Sequence, residues 1–508
     1  MNLYGIWLLL PLIFTLILVF IRPKKQMVFG FLTFFFTIVL RVLLILHNPY
    51  YVTSYETFTL ATHGPFHLSF TIDKFAWITS IFCLLVWLFS TLYSIGYFKK
   101  EPLKRIQRYQ IFSMLNLYSI LLILNSNNWV TFFIFFELLL VVSYMIIIHY
   151  RKPENYAAGI RYVFFQIIGG LFFLVAIMFQ YNIVGSTAFV SGGYLQLAQS
   201  PYFIVIFIGF VVAFAIKAGL FPVHIWLPEA HPVAPSPASA LLSGMVIKTG
   251  MVGLLRMVLQ TFGVEQLIGK PCVYVILIIA IITMFWGSAV AIAQKHIKRM
   301  LAYSSVSQMG YVSMGVMLLS PIGLLGGLMH ILAHSMVKTL LFLSAGSMIQ
   351  ENNSSSVTSY AGFGKRSPIV FTGFTVGALS MIGFPLFANF ITKWALGVGA
   401  IEAIQLGYVN GWLGGFAIGI LLFSSILNAL YYLPIVIQGW FHDGEESTKN
   451  KHGNKSVIRY KTPISVSITM VCLVVIVIAF GVFPDPIIEY CRAIITELTP
   501  LQCCPPLF

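Results

Sequence analysis

Apolar runs of about 20 residues recur from one end of the chain to the other, near residues 4–22, 27–47, 75–98, 111–126, 129–149, 157–180, 203–221, 238–261, 272–293, 300–319, 322–349, 368–396, 411–440 and 462–483. Each is long enough to cross a hydrocarbon core of roughly 30 Å as a helix. The pattern predicts an all-α polytopic membrane protein with about fourteen transmembrane helices and no sizeable soluble domain. Two runs are interrupted. Pro222, Pro228, Pro232, Pro235 and Pro237 break the stretch that begins as the seventh span, and Gly383 with Pro385 breaks the twelfth. Backbone groups freed by such breaks are tolerated in a membrane only where protein or water surrounds them. Broken helices in corresponding places of two five-span units are the trace of an inverted repeat, here spans 4–8 and 9–13.

The polar residues between the runs give the topology. Lys24/Lys25, Lys99/Lys100/Lys104/Arg105, Arg151/Lys152, Lys295/Lys298/Arg299, Lys365/Arg366 and Lys449/Lys451/Lys455 all follow odd-numbered spans. Basic loops mark the cytoplasmic side, so both termini are expected on the outer face of a cell inner (plasma) membrane. The expected organisation is residues 1–110 for spans 1–3, 111–262 and 263–441 for the two repeats, and 442–508 for a basic cytoplasmic loop, the fourteenth span and an outer tail.

Composition agrees with a chain built for lipid, with 59% hydrophobic and 9% charged residues. The net charge of +15 resides in the short topogenic blocks, so nucleic-acid binding is not expected. The first run is followed by Arg22-Pro23-Lys24-Lys25 and no small-residue cleavage site, which predicts a retained helix. The six cysteines form no CxxC pair, so neither a metal site nor a cofactor is expected on this chain. Cys503-Cys504 is read as part of an unstructured tail.

Ionisable residues inside the runs are the candidate chemistry. Glu137 is the one acidic residue deep within a plain span, in Thr131-Phe-Phe-Ile-Phe-Phe-Glu-Leu, where its charge costs several kcal/mol unless paired or hydrated. Lys217 lies five residues before Pro222, Lys248 about ten residues into the eighth span, and Lys393 beyond the Gly383–Pro385 break. Unlike arginine, a lysine taken out of water can give up its proton. His330, His334 and Lys338 recur every four residues and so share one face of the eleventh span. Two histidines one turn apart cannot ligate opposite faces of a haem. The plain alternatives are a passive structural carboxylate for Glu137, core histidines satisfied by hydrogen bonds for His330 and His334, and a lysine snorkelling toward an interface for Lys393.

At this point the sequence resembles a known family, the antiporter-like subunits of respiratory complex I, Mrp-type cation/proton antiporters and membrane-bound hydrogenases. The likeness covers nearly the whole chain. It is carried by Phe135-Phe-Glu-Leu, Lys217-Ala-Gly-Leu-Phe-Pro-Val-His-Ile-Trp-Leu-Pro-Glu-Ala-His, Ala234-Pro-Ser-Pro-Ala-Ser-Ala-Leu-Leu-Ser-Gly, Lys298-Arg-Met-Leu-Ala-Tyr-Ser-Ser-Val-Ser-Gln-Met-Gly and His330-Ile-Leu-Ala-His-Ser-Met-Val-Lys. The resemblance implies two inverted five-helix repeats with broken helices 7 and 12. It implies that Glu137 pairs with Lys217, that Lys248 is a central lysine, that Lys393 is the ionisable residue of the broken twelfth helix, and that His330, His334 and Lys338 line a hydrated axis. Lysine at 393, and a chain ending soon after the fourteenth span, lean the resemblance toward an Mrp D-type or hydrogenase-type subunit, with complex I as the alternative.

The expected mechanism is a proton relay from Lys217 through Lys248 toward Lys393, modulated by Glu137 and driven from outside the chain. The expected partners are other hydrophobic subunits, lipid and protons, with sodium left open. The catalytic centres of any redox complex are expected on other subunits. A quinone- or haem-binding subunit and a stand-alone solute transporter are the rival readings.

Overall fold

A computed structural model describes residues 3–20, 32–33, 35–40, 42–43, 57–59, 67–442, 448–449, 455–456 and 460–499. Lys24/Lys25, most of the second span, Lys451 and Cys503-Cys504 lie outside the described residues. The helices are α1 (Leu3–Phe20), α2 (helical at 35–40), α3 (Lys74–Tyr97), α4 (Leu103–Leu124), α5 (Trp129–Ile147) and α6 (Pro153–Val184). They continue with α7 in two halves (Phe203–Ala218 and Trp226–Val233), α8 (Ser236–Phe262), α9 (Pro271–Ile292), α10 (Ile297–Met317) and α11 (Pro321–Asn352). The series ends with α12 in two halves (Pro368–Ile382 and Ala388–Gln405), α13 (Gly411–Phe441), α14 (Ile464–Val482) and α15 (Asp485–Leu498).

Local chemistry sets many of the boundaries. Proline opens α6, α9, α11 and the first half of α12, where its missing N–H costs nothing. Asn128, Ser320 and Asn410 cap α5, α11 and α13, their side chains accepting from backbone N–H groups one turn on. Both breaks come where the sequence places them. The first half of α7 stops at Gly219 and that of α12 at Gly383, each in the left-handed conformation at the C-cap.

Eight described helices are long and apolar enough to cross a membrane on length and composition alone. The halves of α7 and α12 are short, and α4 and α10 are rich in polar side chains, so these spans are recognised by their place in the bundle. Two helices, α8 and α11, are enclosed on every side. Helix α11 is the hub, packing against α3, α8, α10, both halves of α12, α14 and α15. By contrast α6 turns Ile160, Phe164, Leu171 and Met178 outward, an apolar face suited to lipid or another subunit. Ionisable residues in a membrane belong on the enclosed helices, and α8 and α11 carry them here.

Three regions differ from the sequence reading. The loop between the second and third expected spans contains paired strands, β1 (Thr57–Thr59) with antiparallel β2 (Ser69–Thr71), and β2 is stitched to the α4–α5 connection through Thr71 N–H to Asn125 O, 2.8 Å, and Asn127 N–H to Ser69 O, 2.9 Å. The expected outer tail begins instead with the amphipathic helix α15. It buries Ile488, Cys491, Ile494, Ile495 and Leu498 against the bundle and pairs Glu497 with Lys74 at 2.9 Å. Lys298, read as a loop charge, is buried in the first turn of α10.

Candidate functional site

The site is assembled where the broken helices meet the enclosed ones. Lys248 follows a widened, π-helical turn of α8 spanning Leu242–Val246. Such a turn lets a carbonyl escape the helical ladder, and the Lys248 ammonium donates to Ser243 O at 2.6 Å. The same Nζ meets His334 Nδ1 across to α11. An ammonium donating to Nδ1 leaves the neutral imidazole's proton on Nε2, which has no hydrogen-bond partner.

One turn away on α11, the His330 ring lies 6.0 Å from that of His334, centroid to centroid. Its Nδ1 faces the Thr392 hydroxyl at 2.7 Å and its Nε2 faces Gln308 Oε1 at 2.9 Å. The Tyr311 ring stacks on it at 5.6 Å, and Lys393 Nζ stands 5.1 Å from that same tyrosine ring. Lys393 reaches back to the broken end of α12, donating to Met381 O at 2.8 Å, Ile382 O at 3.0 Å and Ser425 Oγ at 3.0 Å. Those carbonyls are the unsatisfied, electronegative end of a half-helix, a natural seat for an ammonium. Gly383 makes the approach possible, since a Cβ there would lie 3.0 Å from Lys393 Cδ and 3.4 Å from Nζ. Pro385 lies in the turn between the halves. Hydrogen bonds join Lys248 to His334 and His330 to Thr392, while His334 meets His330, and Tyr311 meets both His330 and Lys393, through ring contacts alone.

Lys338 continues the stripe but points off this line. Its Nζ donates to Leu301 O at 2.9 Å and to Ser304 Oγ, with Tyr432 Oη at 3.4 Å. Lys217 is fully buried near the end of the first half of α7, five residues before Pro222. Its Nζ has no hydrogen-bond partner and lies 4.0 Å from the centre of the Phe136 ring. The Glu137–Lys217 pair implied by the resemblance is not closed: the two groups interact electrostatically, but no ion pair joins them among the described residues. The half-buried Glu137 carboxylate leaves Oε1 without a partner, and Tyr162 Oη and both polar atoms of Gln166 are likewise buried and unpaired. No polar contact connects Lys217 to Lys248. Gly250 of α8 packs against the backbone of Phe214 and Ala218 and against the Lys217 Cβ.

Glu137 is positioned by Gly170 of α6. A Cβ on Gly170 would overlap Glu137 Oε1 and lie 3.0 Å from Cδ, whereas one on the adjacent Gly169 would make only ordinary contacts, the nearest 3.5 Å. Gly170→Ala is expected to displace the carboxylate and slow transport by about tenfold, and Gly169→Ala to change little. Combining Gly170→Ala with the shorter Glu137→Asp should recover much of the loss in a vesicle transport assay; no recovery would mean that Gly170 serves helix packing instead.

Besides Lys298, sequence reasoning missed two buried ionisable residues, Arg256 and His231. Arg256 on α8 is 1% exposed and bridges Asp73, the N-cap of α3, to Gln260 and Leu124 O, its guanidinium held between the Phe75 and Phe189 rings. His231, in the second half of α7, is fully buried, with both ring nitrogens unpaired.

Comparison with known proteins adds the following. Residues 126–411 match the family model described as NADH:quinone oxidoreductase/Mrp antiporter, TM. The chain is 31% identical over 370 residues to NADH-quinone oxidoreductase subunit M of Rickettsia prowazekii (strain Madrid E), covering 72% of this chain and 70% of that one. It is 31% identical over 337 residues to hydrogenase-4 component B of Escherichia coli (strain K12), covering 62% of this chain and 49% of the relative. Its fold resembles a chain of the Mrp complex from Dietzia sp. DQ12-45-1b, with TM-score 0.82, 20% identity and 98% of each chain covered. It also resembles a chain of respiratory complex I from Thermus thermophilus, with TM-score 0.79, 22% identity, and 97% and 99% covered.

Proposed function

Because the chain belongs to the NADH:quinone oxidoreductase/Mrp antiporter transmembrane family, we propose that it is a proton-translocating subunit of a multi-subunit membrane complex, carrying protons along Lys217, Lys248, His334, His330 and Lys393. The observation that carries this reading is the contact series from Lys248 to Lys393, whose middle members lie on α11, a helix enclosed on every side. Every titratable member of that series can take up or release a proton, and each touches the next or a side chain they share. Glu137 acts on Lys217 by charge. Closing the pair favours the ammonium, and withdrawing the carboxylate drives the proton onward.

The energy for that withdrawal comes from neighbouring subunits, and the outward apolar face of α6, one helix away from Glu137, is a surface on which such a neighbour can act. For the complex that holds the subunit, the names of the relatives favour a NADH-quinone oxidoreductase setting over the Mrp D-type part of the Mrp D-type or hydrogenase-type assignment expected from the sequence. Identification of the proteins that copurify with the chain tests that choice.

The relay is tested by proton transport in membrane vesicles containing the intact complex, with and without sodium. Glu137→Gln and Lys217→Ala are each expected to lower the rate by about tenfold or more at unchanged assembly. Wild-type rates in both variants would remove this pair from the pathway.

A further inference from the structure

Between the second half of α12 and α13 lies a cavity of about 370 Å³, within the range of pockets that take small molecules. Lys393 and Ser425 are the polar side chains of its wall, and the remaining lining is apolar, with Phe390, Trp394, Ile401 and Leu422 among it. Trp394, Ile401 and Leu422 are half-exposed, so the cavity opens sideways through the apolar flank of the bundle. The stretch of α13 that lines it, residues 418–425, lies well inside a helix running from Gly411 to Phe441. Gly397 keeps the space open, since a Cβ there would meet nothing within 4 Å.

The charge at the inner end of this cavity is unbalanced. Lys393 donates to Met381 O, Ile382 O and Ser425 Oγ, which are neutral acceptors. Among the described residues no carboxylate pairs with it. Neutral oxygens solvate an ammonium without cancelling its charge. Ser425 can yield its place to an anion at little cost, because its hydroxyl donates to Leu421 O at 3.0 Å and keeps that bond.

A sideways-opening apolar cavity that ends on an unneutralised ammonium fits a hydrocarbon chain bearing an acid. The acid must reach Lys393 beside the break within the twelfth span. A phosphodiester headgroup stays ionised and is held at the membrane surface by the cost of burying its charge. A carboxylic acid enters hydrocarbon in its neutral form and ionises on meeting the lysine.

We propose that the cavity between the second half of α12 and α13 binds a long-chain fatty acid from the bilayer, its carboxylate paired with Lys393 and its chain lying along Phe390, Trp394 and Leu422. The acid enters while Lys393 is a neutral amine. Its O–H bond breaks as an N–H bond forms on Nζ, so no proton is lost and the resulting pair carries no net charge. The ammonium is then held against deprotonation. On the relay reading, from which this consequence follows, the fatty acid inhibits transport from within the membrane; the binding itself does not depend on that reading.

The test uses the intact complex in vesicles and a long-chain fatty acid carrying a photoreactive diazirine in its chain, with oleate and methyl oleate as competitors. Crosslinks are expected on the second half of α12 and on α13. Oleate is expected to displace the probe about tenfold more effectively than the methyl ester, which enters lipid but has no acid to pair. Gly397→Phe fills the cavity and leaves Lys393 in place, and should lower labelling by about tenfold or more at normal assembly and basal transport. Lys393→Met should abolish the preference for oleate over its ester, and this variant decides if Gly397→Phe fails to assemble. No labelling on these helices, equal competition by acid and ester, or full labelling in Gly397→Phe would each overturn the proposal. Oleate should inhibit transport in the wild type and not in Gly397→Phe. Labelling at the site without inhibition would keep the site and reject Lys393 as a proton carrier, so the site and the relay fail separately.

Discussion

Lys248→Ala is expected to reduce proton transport by the complex about a hundredfold without reducing the amount of complex assembled. Among the described residues, Lys248 is the one member of α8 that hydrogen-bonds to the histidine stripe of α11. Its Nζ holds Ser243 O on one side and His334 Nδ1 on the other. Alanine leaves the carbonyl and imidazole facing a gap that neither can cross. Stability should not fall in proportion, because alanine favours the helix and removing an ammonium from an apolar interior relieves its desolvation cost. The check is transport per assembled complex, with subunit content measured in the same membranes. Loss of assembly together with transport would mark Lys248 as a packing residue.

The largest effect on stability is expected at Arg256. The guanidinium donates to Asp73 at 3.1 and 3.4 Å, to Gln260 at 2.7 Å and to Leu124 O at 3.1 Å, joining the start of α3, the end of α4 and the body of α8. Arg256→Leu leaves the Asp73 carboxylate and a carbonyl uncompensated, a loss of roughly 3–5 kcal/mol for a broken buried pair. Lysine cannot replace the two-pronged geometry, so Arg256→Lys should recover only part of it. The double variant Asp73→Leu with Arg256→Leu should be more stable than Arg256→Leu alone, because both charges are then removed. Thermal unfolding of the purified complex measures each difference. Equal melting of the single variant and the wild type would show that the clamp contributes nothing.

Much of this architecture could be read from the chain because its signals are local. An apolar run of membrane length, a glycine or proline within it, and a lysine far from either end each announce themselves without knowledge of the fold. Glu137, Lys217, Lys248 and Lys393 stand out in that way, as do the breaks at Pro222 and Gly383–Pro385. His231 and Lys298 escaped for the opposite reason. Lys298 stands in a basic block with Lys295 and Arg299, and His231 in a proline-rich break; only the packing of the second half of α7 on α10 buries them together. The Arg256–Asp73 clamp joins residues 183 positions apart, beyond the reach of any local pattern. For α15 a signal was present, since Ile488, Cys491, Ile495 and Leu498 follow helical spacing, but a short amphipathic segment after the last span reads easily as a tail. The open Glu137–Lys217 pair was not legible either, because sequence identifies the partners and not their distance.

Arginine substitution tests the central claim most directly, because it keeps the positive charge and withholds the exchangeable proton. In vesicles with normally assembled complex, Lys248→Arg and Lys393→Arg are predicted to transport protons as poorly as the corresponding alanine variants. Transport at the wild-type rate with arginine at both positions would contradict the account and make these lysines fixed charges instead of proton carriers.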